Sequence, residues 1–261
     1  MGTTQTTAPA VANIPPPARE ADPAAERERS KWEVAAGYRI LARFGLDEGI
    51  AGHITARDSE RQHAFWTAPF GSYFGAVMPA DLLLVDADGT ILTGDGLLNR
   101  AAFAIHSRIH AARPDVVGAV HAHGLHGKAF SSLVRPLLPL TQDACAFFGD
   151  HAVHDSYNGV VFDTDDGDAI AATLGSCKAV VLANHGHLTV GHTVGSAVWW
   201  FVTMERSFQA QLLAEAAGSP RPLDDDTASA TAAVVGTEDV GAFAFSVLAK
   251  RIVVEFPELA R

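Results

Sequence analysis

The sequence predicts an α/β fold, in which helices pack on a mixed, mostly antiparallel sheet within one layered domain. Two observations predict it. Short runs of apolar and β-branched residues, bounded by Gly, Pro or Asp, recur along the chain and are typical of strands. Longer segments with apolar residues at helical spacing lie between these runs. With 261 residues, 48% of them hydrophobic, the chain is long enough to bury one sizeable core, and it shows no internal repeat.

The first 29 residues have the composition of a disordered tail. Three consecutive prolines and a mixture of Ala, Glu and Arg can bury little apolar surface. We expect the folded domain to cover residues 30–261 and its first helix to begin at Ser30, a residue type that caps helix N-termini. Helical spacing continues to about Phe44, and Gly45 suits the helix end.

The rest of the chain alternates between strands and helices. Strands are predicted at residues 53–57, 64–67, 82–85, 90–93, 116–121, 179–182 and 187–190. Helices are predicted at residues 99–112, 124–131, 166–174 and 194–217, with further helix after the Pro-rich break at 219–222. A loop is expected around His151, His154 and Tyr157, which either line a pocket or face solvent.

Charge and composition exclude several classes of protein. Lys and Arg number 19 against 30 Asp and Glu, a net charge of −11, which argues against nucleic acid and anionic membrane surfaces as partners. No apolar run approaches the about 20 residues that a membrane helix needs. The N-terminus does not resemble a secretory signal, and two cysteines imply no disulfide framework. We therefore expect a soluble, cytoplasmic protein.

The strongest chemical motif is His121-Ala122-His123, which ends a predicted strand. Residues i and i+2 of a strand point to the same face, so the two imidazoles can reach one metal ion. A second apolar strand leads into His185 and Gly186. Two strand ends that deliver three imidazoles predict a metal site of His121, His123 and His185 with open coordination positions. Imidazole nitrogen suits Fe, Zn, Co or Ni, so the ligands alone do not choose the metal.

A glycine-rich turn, residues 49–52, precedes the strand that carries His53 and Arg57. Its backbone N–H groups and the Arg57 charge could meet an anion. Such a turn is more often only a turn, and both interpretations stay open from the residues alone. On the first interpretation, Gly52 and Arg57 are candidate substrate-binding residues.

Taken together, these elements resemble the class II aldolase/adducin family over roughly residues 32–217. The motifs that carry the resemblance are GHITAR at 52–57, ARPD at 112–115 ahead of HAH at 121–123, and ANHG at 183–186. The resemblance implies a three-layer α/β/α domain and rings of four subunits with active sites between neighbours. It also implies a divalent metal on His121, His123 and His185.

The sequence departs from the sugar-phosphate aldolases of this family in two places. Those enzymes have Ser-Ser-Glu where this chain has Arg100, Ala101 and Ala102. The hydroxyls that hold phosphate and the carboxylate that moves protons are therefore absent, and general acid–base catalysis is typically worth about 10²–10⁴ in rate. An Asn common in the aldolases is replaced by His53. Arg100 instead offers a rigid donor fork that suits a carboxylate.

A divergent branch of the family resembles this pattern: the non-haem iron oxygenases of aminocoumarin antibiotic pathways, which shorten a prenylated 4-hydroxyphenylpyruvate to a benzoate. Segments 44–49 and 140–145 are similar to that branch. The resemblance implies oxidative decarboxylation of an aromatic 2-oxo or 2-hydroxy acid with dioxygen and Fe(2+), Zn(2+) being the alternative metal. Arg57 and Arg100 would hold the substrate anion, and His53 would face the substrate.

Two rival functions remain open. One is a divalent-metal aldolase or decarboxylase that acts on a small carbonyl substrate with another proton carrier. The other is an adducin-like interaction module without catalysis, against which the retention of all three apparent ligands argues. The family resemblance and the aromatic segment 199–201 lead us to expect a homo-oligomer, most simply a tetramer.

Several further side chains have competing roles. His126 lies close enough to the ligands in sequence to orient one of them, or it lies at the surface; we include it among the candidate catalytic residues with His53 and Arg100. His106 is interpreted as a packing residue. Glu205 is a candidate buried partner for an Arg or a His.

Overall fold

The computed structural model describes residues 19–260, which form seven α-helices and eight strands. The helices are α1 Pro23–Arg43, α2 Arg100–Ala112, α3 Leu125–Ser131, α4 Thr164–Leu174, α5 Val194–Ala217, α6 Asp225–Val235 and α7 Glu238–Glu255. The strands are β1 Gly52–Arg57, β2 Phe65–Thr67, β3 Leu83–Val85, β4 Ile91–Thr93, β5 Gly118–Ala122, β6 His151–His154, β7 Ala179–Leu182 and β8 Gly186–Gly191.

All eight strands form one sheet in the order β4-β3-β2-β1-β5-β8-β7-β6. Every neighbouring pair is antiparallel except β6 and β7, which run parallel. The predicted mixed, mostly antiparallel sheet is thus confirmed. The two central pairs, β1–β5 and β5–β8, place the end of the HAH motif beside the start of β1 and the start of β8.

Helices cover both faces of the sheet, as the predicted α/β class requires. On one face, Ile54 of β1 and Val120 of β5 pack with Val198 of α5 in a core that includes α1. On the other face, Ala119 of β5 packs with Ile105 of α2 in a core that includes α4. Side chains alternate between the two faces along each strand, so neighbours in sequence belong to different layers.

The first helix begins earlier than the sequence predicted. It starts at Pro23, with the Asp22 side chain accepting a hydrogen bond from the Ala24 N–H, so the predicted start at Ser30 is wrong. Ser30 is instead buried in the middle of the helix. The physical reason is a distant contact: Arg27 donates to both oxygens of the buried Asp58, at 2.6 and 2.7 Å. The remainder of the predicted tail, residues 1–18, lies outside the described residues.

The stretch around His151 is also different from the expectation. His151 and His154 lie in β6 rather than in a loop, because this segment pairs in parallel with β7. His151 accepts a hydrogen bond from the Leu137 N–H and bonds the Phe147 carbonyl, so its ring ties two loops to the sheet edge. The contact is structural and takes His151 away from the candidate site.

The long helix α5 ends at Ala217, as predicted, and two more helices follow the Pro-rich break. Trp200 and Phe201 are wholly buried inside the chain, so these two aromatic residues are core. Across residues 19–260 no single helix is both long and apolar enough to cross a membrane; α6 and α7 satisfy that test only when joined, across a bend of 57°.

Candidate metal centre

Three histidines meet where β5 ends and β7 turns into β8. His121 lies on β5, His123 follows that strand, and His185 lies in the turn between β7 and β8. The turn is tight because Asn184 takes a left-handed backbone conformation, with φ of 56°. One nitrogen from each of the three imidazoles lies within 4.8 Å of the others. The structure therefore brings together the three residues that the sequence predicted as ligands.

The ring nitrogens are oriented as a metal site requires. His123 Nε2 lies 3.1 Å from His185 Nε2. His121 Nδ1 lies 2.8 Å from the His187 carbonyl oxygen, which can only accept, so His121 donates from Nδ1 and leaves Nε2 unprotonated. That Nε2 is buried and has no hydrogen-bond partner in the described part of the chain. A buried nitrogen lone pair without a partner fits a metal ion.

Electrostatics favour neutral ligands. Burial, with a smaller contribution from the neighbouring His123, lowers the pKa of His185 to about 4. Burial is also the main cause that holds the pKa of His121 well below its usual value. Neutral imidazole is the form that binds metal ions. Within residues 19–260 the cluster contains no carboxylate, so its three donors are uncharged and leave the charge of a bound cation uncompensated.

His53 borders the cluster. It pairs with His121 across the β1–β5 ladder, and the two ring centroids are 5.3 Å apart. Both ring nitrogens of His53 are buried and have no partner among the described residues. A side chain with two unsatisfied nitrogens beside a candidate metal site is placed to meet a bound ligand or water, as the sequence suggested.

Gly52 allows β1 to approach β5 closely beside His53. Its φ is 122°, and a Cβ at this position would lie 3.0 Å from both the Ala122 Cα and the His121 carbonyl oxygen. The visible role of Gly52 is therefore close packing next to the ligands. A substrate-binding role for its N–H stays a prediction.

Arg100 is the first residue of α2 and is exposed. It does not cap the helix, because the Asn99 side chain accepts the Ala102 N–H at 3.1 Å. Asn99 in turn lines a small cavity of about 10 Å³ together with Gly52 and His53. Arg100 follows Asn99 directly in the chain, and within residues 19–260 no hydrogen bond or ion pair engages its guanidinium.

Arg57 lies away from the cluster, and its predicted role in holding a substrate anion stays a prediction. It lies at the opposite end of β1, where its guanidinium donates to the carbonyls of Gln62, His110, Arg113 and Val116 at 2.6–3.0 Å. Four backbone acceptors use most of its five donors. The visible contacts of Arg57 therefore join the end of α2 to the sheet.

His126 is directed to another partner. Its Nδ1 lies 3.1 Å from Glu205 Oε1, and the same carboxylate accepts the backbone N–H groups of His126 and Gly127 at 2.8 Å. For His121 the orienting partner is the His187 carbonyl, and the expectation that His126 orients a metal ligand stays a prediction. The expectation that Glu205 is the buried partner of a histidine is confirmed.

Two further groups lie near the cluster: Tyr157, for which the sequence left pocket and solvent open, and a buried polar group that sequence reasoning missed. The Tyr157 ring, half exposed, lies 6.4 Å from the His185 ring and borders the candidate site. Thr55, His106 and His110 form a buried polar group behind His53. The i, i+2 spacing of His53 and Thr55 on a strand, and the i, i+4 spacing of His106 and His110 on a helix, could have indicated it.

The chain belongs to the class II aldolase and adducin family: the model of the class II aldolase and adducin N-terminal domain matches residues 32–212. It is 42% identical over 239 residues to the 4-hydroxy-3-prenylphenylpyruvate oxygenase/4-hydroxy-3-prenylbenzoate synthase of Streptomyces roseochromogenus subsp. oscitans, covering 91% of this chain and 86% of that one. It is 41% identical over 239 residues to decarboxylase NovR of Streptomyces niveus, covering 91% and 88%.

Among solved structures, the fold is similar to the L-fuculose 1-phosphate aldolase from Glaciozyma antarctica PI12, with a TM-score of 0.87 and 42% identity over 95% of this chain and 97% of that one. The family and the class of fold predicted from the sequence are confirmed. The relatives carry the names of both an oxygenase and an aldolase, so family membership alone does not choose the reaction.

Proposed function

We propose that the protein is an Fe(II)-dependent enzyme that oxidatively decarboxylates an aromatic 2-oxo or 2-hydroxy acid, such as a prenylated 4-hydroxyphenylpyruvate. The observation that carries the proposal is the cluster of three neutral imidazoles without a carboxylate. Such a set leaves several coordination positions for an anionic chelating substrate and dioxygen. The 42% identity to a prenylphenylpyruvate oxygenase supports the same reaction.

The α2 N-terminus distinguishes this proposal from a sugar-phosphate aldolase. Ala102 stands where the aldolases carry their proton-moving carboxylate, and its methyl group is buried under the cap made by Asn99. Arg100 and Ala101 replace the two hydroxyls that hold phosphate. The Arg100 cation, together with the methyl groups of Ala101 and Ala102, suits an aromatic carboxylate better than a phosphorylated sugar.

Each residue then has a defined role. His121, His123 and His185 would hold the metal, which when bound supplies the electron-transfer chemistry with dioxygen that side chains lack. Arg100 would attract the substrate carboxylate to the end of α2. His53, with two unsatisfied ring nitrogens, would hydrogen-bond an oxygen of the bound substrate. Tyr157 would border the aromatic ring on the exposed side of His185.

The overall reaction balances without another reductant. An arylpyruvate and one O₂ give CO₂ and an arylhydroxyacetate, and the hydroxy acid with a second O₂ gives CO₂, water and an arylcarboxylate. Each turn removes one carbon, so two turns convert a phenylpyruvate to a benzoate. The ratio of O₂ consumed to CO₂ released should be one in both turns.

The test compares two substrate classes on one preparation. Protein purified without oxygen and loaded with Fe(II) is given a panel of arylpyruvates in an oxygen electrode, and fuculose and ribulose phosphates in a cleavage assay. We expect oxygen uptake on the arylpyruvates and negligible cleavage of the ketose phosphates. Cleavage at a kcat/KM of about 10⁴ M⁻¹s⁻¹ or more, within the range of ordinary enzymes, would instead establish the divalent-metal lyase.

We also propose a homo-oligomer, with a tetramer as the expected form. Because Trp200 and Phe201 are buried inside the chain, segment 199–201 no longer supports this expectation. The support is family membership together with large exposed apolar side chains, among them Tyr73, Leu97 and Leu125. Light scattering at micromolar concentration should give a mass about four times the chain; a monomer would refute the proposal.

A further inference from the structure

A buried polar group lies between β1 and α2, outside the metal cluster. It consists of Thr55, His106 and His110, whose exposed fractions are 1%, 0% and 5%; we name it the Thr55 group. The surrounding layer is apolar, with Ile105 and Ile109 of α2 in its core. Buried polar groups are costly unless they are hydrogen-bonded, so three of them in this layer need a physical explanation.

One hydroxyl joins the two imidazoles. Thr55 Oγ1 lies 2.8 Å from His106 Nδ1 and 2.9 Å from His110 Nε2. A hydroxyl has one proton, so it donates to one ring and accepts from the other. Of the two ring nitrogens that face this hydroxyl, His106 Nδ1 and His110 Nε2, one therefore carries a proton and the other does not.

The ring that accepts the Thr55 proton must be neutral, and burial favours the neutral form of both rings. Burial, with a smaller contribution from the charge of Arg57, lowers the pKa of His110 to about 3. Burial likewise holds the pKa of His106 well below its usual value. Arg57 also donates to the His110 carbonyl at 2.6 Å and so fixes the end of α2 that carries this ring.

The Thr55 group contacts the candidate site through His106. The His106 and His53 ring centroids are 4.1 Å apart at an interplanar angle of 66°, an edge-to-face contact. His53 and Thr55 lie two residues apart on β1 and share its α2-facing side. His53 has no hydrogen bond to a described residue, and its ring packs against His106, with centroids 4.1 Å apart, more closely than against His121, at 5.3 Å.

We propose that Thr55, acting through His106, is a positioning residue that fixes the His53 ring beside the candidate metal ligands. The expected effect of Thr55 on turnover rests on the proposed function. The structural part concerns the state and orientation of the His106 ring and needs neither metal nor substrate.

The first test is the imidazole ¹⁵N spectrum of the metal-free protein, with the His106 and His110 signals assigned by single substitutions. Thr55→Val keeps the shape of the side chain but removes the hydroxyl, and Thr55→Ser keeps the hydroxyl. The matched control is Thr189→Val, since Thr189 is equally buried on β8 and donates to the Ala197 carbonyl in the opposite layer at 2.8 Å. We expect His106 and His110 to show the same neutral tautomer, both protonated at Nδ1 or both at Nε2, in the wild type, Thr55→Ser and Thr189→Val, and loss of that matched pattern in Thr55→Val.

The second test is turnover of the Fe(II)-loaded protein on an arylpyruvate. Thr55→Val should lower kcat by about 10-fold, the lower end of the range for lost outer-shell partners, with KM and metal content unchanged. Thr55→Ser should restore kcat, and Thr189→Val should not lower it. Identical ring signals in Thr55→Val and the wild type, or an equal fall in kcat in Thr189→Val, would overturn the positioning role. Absence of wild-type turnover would reject the proposed function, and the ring signals would still decide the positioning role.

Discussion

The two faces of the β1–β5 strand pair differ sharply although their side chains alternate along the same backbone. The face toward α2 presents His53, Thr55 and His121, with unsatisfied or hydrogen-bonded polar atoms. The face toward α1 and α5 presents Ile54 and Val120, which belong to the main apolar core. Adjacent residues therefore differ in role: one face holds the candidate site, and the apolar burial of the other face keeps these strands in register.

The contrast between the two faces is tested most strongly by removing one of the candidate metal ligands. His123→Ala should reduce bound metal from about one ion per chain to almost none, because two imidazoles bind far more weakly than three. Folding should be retained, since His123 is only half-buried and lies after the strand. Metal content is measured by elemental analysis after dialysis, with circular dichroism as the folding check.

The control for this loss is His192→Ala, which removes an exposed histidine outside the cluster. It should leave metal content unchanged. If His121→Ala and His123→Ala proteins bind as much metal as the wild type, the site assignment is wrong.

Ile54→Ala tests the apolar face. Truncating a wholly buried isoleucine typically costs about 2–5 kcal/mol in the free energy of unfolding. Metal content should stay near one per chain, because Ile54 lies in the opposite layer from the three candidate ligands. Urea unfolding at a fixed protein concentration gives the first quantity. A parallel loss of metal in the folded variant would show that the two faces are not separable.

Arg100→Ala tests how far the chemical face extends along α2. A charge-assisted hydrogen bond is worth about 1.5–3 kcal/mol, so KM for a carboxylated substrate should rise by roughly 10- to 150-fold. The methyl ester of the same substrate, which lacks the charge, serves as the control and should be affected much less. An equal effect on acid and ester would remove Arg100 from the site.

The pH dependence of the unfolding free energy tests the burial of His110, which lies on α2. His110 is neutral when folded, with a pKa of about 3, and takes up a proton near pH 6.5 when unfolded. Its contribution to stability is therefore complete above about pH 6.5 and is lost as the pH falls toward about 3. Between pH 8 and pH 5 it accounts for about 2 kcal/mol of the fall in unfolding free energy. His110→Phe should show a fall smaller by that amount, and equal pH dependences would contradict the assignment.

The part of the site that the sequence could predict is the part set by local patterns. His121 and His123 are fixed to one strand end, and His185 follows another apolar strand, so strand pairing alone brings them together. The hydrogen-bond partners of Arg57 and His126 could not be predicted, because most of them are remote in sequence. Four carbonyls from residues 62–116 surround Arg57, and Glu205 reaches His126 from 79 residues away.

The start of α1 shows the same limit. Residues 19–29 have the composition of a tail, and the pairing of Arg27 with Asp58, 31 residues away, helps to stabilise a helix there. Asp58 is itself wholly buried and also accepts the Trp66 indole N–H at 2.7 Å. Composition describes what a segment can bury on its own, whereas this segment is ordered by what another part of the chain provides.

The central claim is that the three-histidine cluster supports oxygen-dependent decarboxylation. The most direct measurement is release of labelled CO₂ from a 1-¹³C-arylpyruvate by the Fe(II)-loaded protein, with and without O₂. The account predicts one labelled CO₂ for each O₂ consumed in the first turn, and one for every two O₂ when the second turn also goes to completion. Release should stop under strict anaerobiosis and be lost in His123→Ala. Undiminished release without oxygen would contradict it and place the enzyme among the lyases.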